Sequence, residues 1–214
     1  MPPASVASVE PSLFAGDAAA RWPWITVVTG LPRSGTSMMM QMLRAGGMPP
    51  ATDAVRAADE DNPRGYLELE AVKCLRDEDP RALFAGLQGH AVKVVHPLLY
   101  RLPADLDCRL VVMRRELDEV LRSQEVMLAR RGRAAGDDGG VREAAARELE
   151  RMERWVAQRG IPALTLRYGE VVRDPGAAAR ALAAFLGGGL DAARMAAAVD
   201  PALHRNRAGA TPRG

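Results

Sequence analysis

The chain has 214 residues and a mass of 23.0 kDa, which suits one domain of ordinary size rather than two. Hydrophobic residues make up 48% of it and charged residues 26%, a balance that excludes a disordered chain. The formal net charge is only +2, and the basic residues are scattered among acidic ones, which argues against a dedicated nucleic-acid-binding protein.

Targeting and metal-binding signals are weak in this sequence. No uncharged apolar stretch approaches the roughly 18 residues that a membrane helix needs. The first residues, Met1-Pro-Pro-Ala-Ser, show no basic region followed by an apolar run, so a signal peptide is not expected. Cys74 and Cys108 stand alone, which favours two reduced thiols over a zinc site or a disulfide. We therefore expect a cytoplasmic protein with no membrane partner and no metal.

Composition divides the chain into three parts. Residues 1–21 are rich in Ala, Pro and Ser and lack periodicity, which predicts a flexible N-terminal arm. Regular patterning begins at Trp22 and predicts a single domain over residues 22–200. Residues 201–214 form a basic tail that contains Arg205 and Arg207.

Short β-branched runs alternate with amphipathic segments along the domain. Strands are predicted at 25–29, 91–95, 109–113 and 163–167. Helices are predicted at 36–43, 116–131, 141–159 and 174–186. This alternation indicates an α/β fold whose central parallel sheet has four to five strands flanked by helices.

The turn after the first strand has the spacing of a phosphate-binding loop, Gly30-x-x-x-x-Gly35, and it leads directly into a helix. Glycines let the backbone approach an anion, and the first helical amides point at it. Nucleotide triphosphatases place Lys at the next position, where this chain has Thr36. The loop carries its cation inside the turn instead, at Arg33, which suits a single phosphate better than a triphosphate with magnesium. The sequence thus predicts a three-layer fold of the P-loop type.

Three segments in the same order resemble sulfotransferases that use 3′-phosphoadenosine 5′-phosphosulfate (PAPS). Leu31-Pro-Arg-Ser-Gly-Thr-Ser37 is similar to their 5′-phosphosulfate loop. Val111–Ser123 resembles their 3′-phosphate site, in which a strand ends in Arg and a Ser follows eight residues later. Leu166–Gly187 is similar to their C-terminal strand and helix. The resemblance covers roughly residues 25 to 187 and implies PAPS as the sulfuryl donor, with adenosine 3′,5′-bisphosphate (PAP) as product and no metal.

The resemblance also implies which residues bind the donor. The 5′-phosphosulfate would be bound by Pro32, Arg33, Ser34, Gly35, Thr36 and Ser37. The 3′-phosphate would be bound by Arg115 and Ser123, and Arg114 competes with Arg115 for this role. An Arg at the carboxyl end of a strand independently suits a phosphate, because ligands bind open α/β sheets at that rim and a guanidinium matches phosphate with two hydrogen bonds.

Sulfuryl transfer requires a charge at the leaving oxygen and a base for the acceptor's proton. Arg33 is the predicted source of charge. Two regions offer the base: the family resemblance allows either a Glu after the first helix, here Glu68 or Glu70, or a His near the second strand, here His96. Imidazole titrates usefully near neutral pH. Glu68 is preferred narrowly over His96.

Two other functions stay open, and the sequence does not identify the acceptor substrate. A small kinase with an atypical loop would bind ATP and magnesium, and a non-catalytic relative would bind only PAP. The acceptor group is expected to be a hydroxyl or amine, and a small metabolite, a carbohydrate, a lipid and a peptide tyrosine all stay open as its carrier. The loops at 48–65 and 132–140 are expected to shape its pocket. Arg205 and Arg207 are possible contributors without an assigned role. Oligomeric state is not indicated.

Overall fold

A four-stranded parallel sheet organises the protein. The computed structural model describes residues 17–53, 55, 59, 62, 64–76, 79–130, 132 and 138–203. The strands are β1 (Ile25–Gly30), β2 (Ala91–Lys93), β3 (Cys108–Arg114) and β4 (Ala163–Arg167). They run parallel in the order β2-β1-β3-β4. The predicted α/β class and parallel sheet are confirmed.

Helices connect the strands. They are α1 (Ala18–Arg21), α2 (Thr36–Ala45), α3 (Pro80–Phe84), α4 (Leu117–Arg130), α5 (Asp138–Arg159), α6 (Tyr168–Arg173), α7 (Pro175–Phe185) and α8 (Ala192–Ala197). Short 3₁₀ helices lie at Glu70–Arg76, Leu98–Arg101 and Pro201–Leu203. Within the described segments, no helix combines the length and the hydrophobicity that crossing a bilayer requires.

Two separate hydrophobic cores cover the two faces of the sheet. Side chains of a strand alternate between faces, so Val27 belongs to one core and its neighbour Val28 to the other. The first core packs the sheet against the segment around the Glu70–Arg76 helix and α5. The second packs it against α2, α6, α7 and α8. Burial on both sides explains why the central strands read as continuous apolar runs.

Strand β4 departs from the expected burial. Its five residues alternate between exposed and half-buried, whereas all six residues of β1 are buried. β4 pairs with β3 on one side only and forms an edge of the sheet, but β2 forms the other edge and its three residues are buried, so the difference lies in what packs on the faces of the two strands. A sequence of β-branched and apolar residues does not distinguish an edge from a centre.

Several element boundaries differ from the predictions. Strand β2 ends at Lys93 rather than at residue 95, and α5 begins at Asp138, inside the predicted 132–140 link. Residues 18–21 of the predicted arm form α1. The rest of the arm, most of the 132–140 link, and the tail from residue 204 with Arg205 and Arg207 lie outside the described residues.

The predicted helix start at Asp174-Pro175 is confirmed. The Asp174 carboxylate accepts a hydrogen bond of 2.8 Å from the amide of Ala177, and proline occupies the first helical turn. Capping of this kind satisfies an amide that the helix itself leaves without an acceptor. α7 therefore begins where local chemistry alone predicts it.

Candidate functional site: the loop after the first strand

The loop from Gly30 to Ser37 connects β1 to α2 by a turn that only glycine permits at two positions. Gly30 has φ +151°, and a Cβ there would lie 2.5 Å from the Met113 carbonyl oxygen and from Ser34 Oγ. Gly35 has φ +101°, and a Cβ there would lie 2.5 Å from the Tyr168 ring. Neither contact is compatible with a side chain. The two glycines thus let the loop fold tightly against β3 and α6.

Arg33 occupies the left-handed region, with φ 69°, which is uncommon for a residue with a side chain. Its carbonyl oxygen accepts a hydrogen bond of 3.2 Å from Arg115 Nη1, and its own Nε donates one of 2.9 Å to Ser123 Oγ. A strained backbone of this kind costs about 1–3 kcal/mol and persists where surrounding contacts fix it. The structure thus brings together three residues that the sequence assigned to two different phosphates.

The N-terminus of α2 faces the same space. Helix geometry leaves the first amides without intrahelical acceptors, and Gly35 as N-cap has no side chain to satisfy them. Thr36 and Ser37 line the cavity described below. Ser34 lies beneath the loop instead, 1% exposed, with no hydrogen-bond partner for its Oγ among the described atoms.

Arg115 is held rigidly beside the loop. Its side chain is 8% exposed, and Nε donates a 2.8 Å hydrogen bond to Glu119 Oε2. Its guanidinium carbon lies 4.4 Å from the centre of the Tyr168 ring, and burial raises the pKa of that tyrosine. Arg114 is directed elsewhere, to Glu153 on α5. Of the two arginines at the end of β3, Arg115 is therefore the one that lines the cavity.

Lys93, to which the sequence assigned no role, contacts the loop and the candidate base. From β2, its ammonium donates to Ser37 Oγ at 2.9 Å, to the Tyr66 carbonyl at 3.1 Å and to Glu68 Oε1 at 3.0 Å. Its side chain is only 3% exposed. The loop has Thr36 where nucleotide triphosphatases have Lys, and here a neighbouring strand brings an ammonium to the next loop residue. One available signal was the rarity of lysine, which occurs twice in the chain.

The structure separates the three candidate bases. Glu68 lines the cavity with 18% of its side chain exposed and is paired with Lys93. Glu70 forms an ion pair of 2.6 Å with Lys73. His96 is not among the described residues that line the cavity, and its Nε2 lies 2.6 Å from Glu148 Oε1 without the geometry of a hydrogen bond. Of the three candidate bases, Glu68 is the one that lines the cavity in the described part of the chain.

These side chains surround a cavity of about 490 Å³. Among the described residues, six cationic side chains and two carboxylates line it: Arg33, Arg64, Lys73, Lys93, Arg115, Arg130, Glu68 and Asp200. The excess of cations suits a ligand with several negative charges. All predicted donor-binding residues other than Ser34 contribute to the lining.

The segment before Glu68 covers part of the cavity and is fastened at two points. Gln41 of α2 donates a hydrogen bond of 2.6 Å to the Arg64 carbonyl. The Arg64 guanidinium in turn donates to the Ala198 carbonyl and lies 3.3 Å from Asp200 Oδ2. The segment is thereby tied to both α2 and the chain beyond α8.

No family model matches the chain, and a search of curated proteins finds no significant match. Across the described residues, no three His, Cys, Asp or Glu side chains are grouped so that they could hold a metal ion. The case for a function therefore rests on the chemistry of the cavity.

Proposed function

We propose that the protein is a PAPS-dependent sulfotransferase that transfers a sulfuryl group to a hydroxyl or amine. The observation that carries the proposal is the convergence of Arg33, Arg115 and Ser123 at one tight glycine-bounded turn. The sequence resemblance assigned these residues to adjacent phosphates of one donor, and their mutual contacts are consistent with that assignment.

The groups present suit such a donor. The amides at the start of α2, with Thr36 and Ser37, offer hydrogen bonds to the 5′-phosphosulfate. Arg115 and Ser123 offer charge-assisted and hydroxyl contacts to the 3′-phosphate. Glu119 and Tyr168 position the Arg115 guanidinium before any ligand arrives, which reduces the entropy lost on binding.

PAPS supplies an activated sulfuryl group whose bond to the 5′-phosphate breaks on transfer. Arg33 stabilises the charge that develops on the departing phosphate oxygen. Lys93, hydrogen-bonded to Ser37, adds a second positive charge at the same end of the loop. Glu68, next to Lys93, receives the proton of the acceptor.

One observation favours the kinase alternative. Lys93 brings an ammonium to the loop at Ser37, so the cation that position 36 lacks is supplied from β2. A phosphoryl-transfer enzyme would use such a cation on the β- and γ-phosphates of ATP. The two proposals differ in the ligand they require.

A thermal-shift experiment distinguishes them. We expect PAP to raise the melting temperature strongly, since a ligand at 100 times its dissociation constant stabilises by about 2.7 kcal/mol. Adenosine 5′-monophosphate, which lacks the 3′-phosphate, is the matched control and should stabilise less. The difference between the two ligands should shrink in Arg115→Ala. Stabilisation by ATP with Mg²⁺ and not by PAP would replace the proposal with the kinase.

The non-catalytic alternative is tested by turnover. A sulfotransferase forms PAP and a sulfated acceptor, and Glu68→Gln should lower this turnover by about 10²- to 10⁴-fold while PAP binding persists. A protein that binds PAP tightly but transfers no sulfuryl group to any alcohol or amine would be a PAP-binding protein instead.

A further inference from the structure

One wall of the cavity is apolar. Besides its charged side chains, the cavity is lined by Leu69, Val72, Val95, Leu98, Val126 and Met127. Leu69, Val72 and Leu98 belong to the buried core. The other three are half-buried, with part of their apolar surface facing the cavity. A ligand that filled this end of the cavity would cover hydrocarbon.

The part of the apolar wall that follows β2, Val95 and Leu98, lies on the β2 side of Arg33 and Arg115. Arg115 follows β3, the loop follows β1, and Lys93 lies in β2, so the strand order places Lys93 at the far end from Arg115. Leu69 directly follows Glu68, and Val95 lies two residues beyond Lys93. The apolar wall thus begins immediately next to the Lys93–Glu68 pair.

Helix α4 connects the two ends. Ser123, Val126, Met127 and Arg130 are spaced by three or four residues, so they share one helical face, and all four line the cavity. Ser123 contacts Arg33, which marks the anion-binding end of this face. Val126 and Met127 follow about one turn further along the helix, a distance of about 5 Å.

We propose that the acceptor is an alcohol whose hydroxyl is carried on a compact apolar body, rather than a carbohydrate or an amine. This inference rests on the proposed function. A carbohydrate would bring several hydroxyls against Leu69, Val72, Val126 and Met127, which offer no side-chain partners for them. An ammonium would meet the positive charges of Lys93 and Arg33 at the reacting end.

The transfer step balances without an oxidant or a metal. The alcohol oxygen forms a bond to sulfur as the bond between sulfur and the 5′-phosphate oxygen breaks, and the electron pair of that bond leaves with the phosphate. The hydroxyl proton passes to the Glu68 carboxylate. The products are the sulfate ester and PAP.

Cyclohexanol and myo-inositol are suitable probes, because they have the same six-membered ring and differ in the number of hydroxyls. Dissociation constants would be measured by ligand-observed NMR titration of the full chain saturated with PAP. We expect cyclohexanol to bind at least tenfold more tightly than inositol. Sulfation rates with PAPS should rank the two alcohols in the same order.

A matched pair of variants locates the effect. Met127→Gln places an amide on the apolar wall and should weaken cyclohexanol binding about fivefold, the effect of uncovering roughly 40 Å² of hydrocarbon. Leu128→Gln alters the neighbouring half-buried residue, which does not line the cavity within the described residues, and should leave the affinity unchanged. Val126→Thr, which keeps the shape of the side chain, serves as a second wall variant if Met127→Gln does not fold.

The outcomes separate this inference from the proposed function. PAP binding with equal or tighter binding of inositol, with no detectable cyclohexanol binding, or with no effect of either wall variant, overturns the alcohol inference and leaves the sulfotransferase proposal standing. Failure of PAP itself to bind overturns the proposed function, and the inference falls with it.

Discussion

Two clusters of acidic and basic side chains lie near the carboxyl end of β2, and they differ in what they face. In the first, Lys93 pairs with Glu68 and Ser37 on the cavity. In the second, which we call the closed network, Glu148 of α5 lies between His96 and Tyr100. Both pair a carboxylate with a base, yet only the first lines the cavity among the described residues. Residue type alone does not identify a catalytic pair.

The closed network is held together by contacts among its own side chains. The Tyr100 hydroxyl donates to Glu148, and the Arg151 guanidinium lies 4.5 Å from the centre of the Tyr100 ring. Burial, followed by the hydrogen bond to Glu148, raises the pKa of Tyr100. Burial opposes ionisation of Glu148, but the Tyr100 hydrogen bond and the charge of His96 outweigh it and lower the Glu148 pKa. These contacts fasten the Leu98–Arg101 helix to α5, which is a structural role.

The substitution with the largest expected effect tests whether the base is Glu68, paired with Lys93, or His96 of the closed network. Glu68→Gln should lower the rate of sulfuryl transfer by about 10²- to 10⁴-fold, the usual contribution of a general base, while PAP affinity stays within about threefold. His96→Gln should retain more than about a third of the rate, since it alters the closed network instead. Steady-state rates and PAP titrations of both variants check this. The reverse pattern would make His96 the base and require the segment after β2 to reorient.

Arg33→Ala should lower turnover by about 10²- to 10³-fold, the effect of removing one group that stabilises a developing oxyanion. PAP affinity should fall by less, because the loop amides and Arg115 remain. Arg44→Ala is the control, since Arg44 is exposed in the last turn of α2 and should change neither quantity. Equal losses in turnover and in PAP affinity would show that Arg33 binds the donor without acting on the leaving oxygen.

Arg115→Ala should weaken PAP binding by about 10- to 100-fold, because a charge-assisted contact is worth roughly 1.5–3 kcal/mol. The variant also leaves the buried Glu119 carboxylate without its 2.8 Å partner and should lower the free energy of unfolding. Arg115→Ala combined with Glu119→Gln removes the buried carboxylate charge as well and should recover stability but not PAP affinity. Urea titration and calorimetric PAP binding separate the two effects. Recovery of affinity in the double variant would contradict a direct role for Arg115.

The smallest effects concern the closed network. Tyr100→Phe removes the hydroxyl that donates to Glu148 and should lower the free energy of unfolding by about 1 kcal/mol without changing the rate of sulfuryl transfer.

Because folding lowers the Glu148 pKa below 4.5, the contribution of Glu148 to the free energy of unfolding is complete above that value and is lost as the pH falls through the lower folded pKa. Glu148→Gln should therefore flatten the acid side of the stability profile, measured by urea unfolding at several pH values. An unchanged profile would remove Glu148 from the acid response.

Local patterns predicted much of the fold and part of the site. Hydrophobic runs predicted the central strands, and the Asp174-Pro175 start predicted the position of α7. The family resemblance drew attention to Arg115 and Ser123, and both contact Arg33 of the loop. These features depend on neighbours along the chain, which a sequence displays directly.

What the sequence did not reveal depends on distant contacts. Lys93 reaches Ser37 across 56 residues of chain, through the pairing of β2 with β1. The Tyr168 ring lies against Gly35 in the folded protein and leaves no room for a Cβ there. The loop sequence alone therefore does not show why position 35 requires glycine. The contact of His96 with Glu148 likewise joins the sheet edge to α5.

The pairing of β2 with β1 sets more than the stability of the sheet. β2 has three residues and lies at an edge, with Val28 opposite Lys93. Since side chains alternate from one face to the other, a slip by a single residue would turn Lys93 into the opposite core and bring Val92 or Val94 toward Ser37. The electrostatic character of the loop is therefore governed by the alignment of one very short strand. Substitutions far from the cavity that loosen this alignment would change the charge beside Ser37 without touching any residue that lines it.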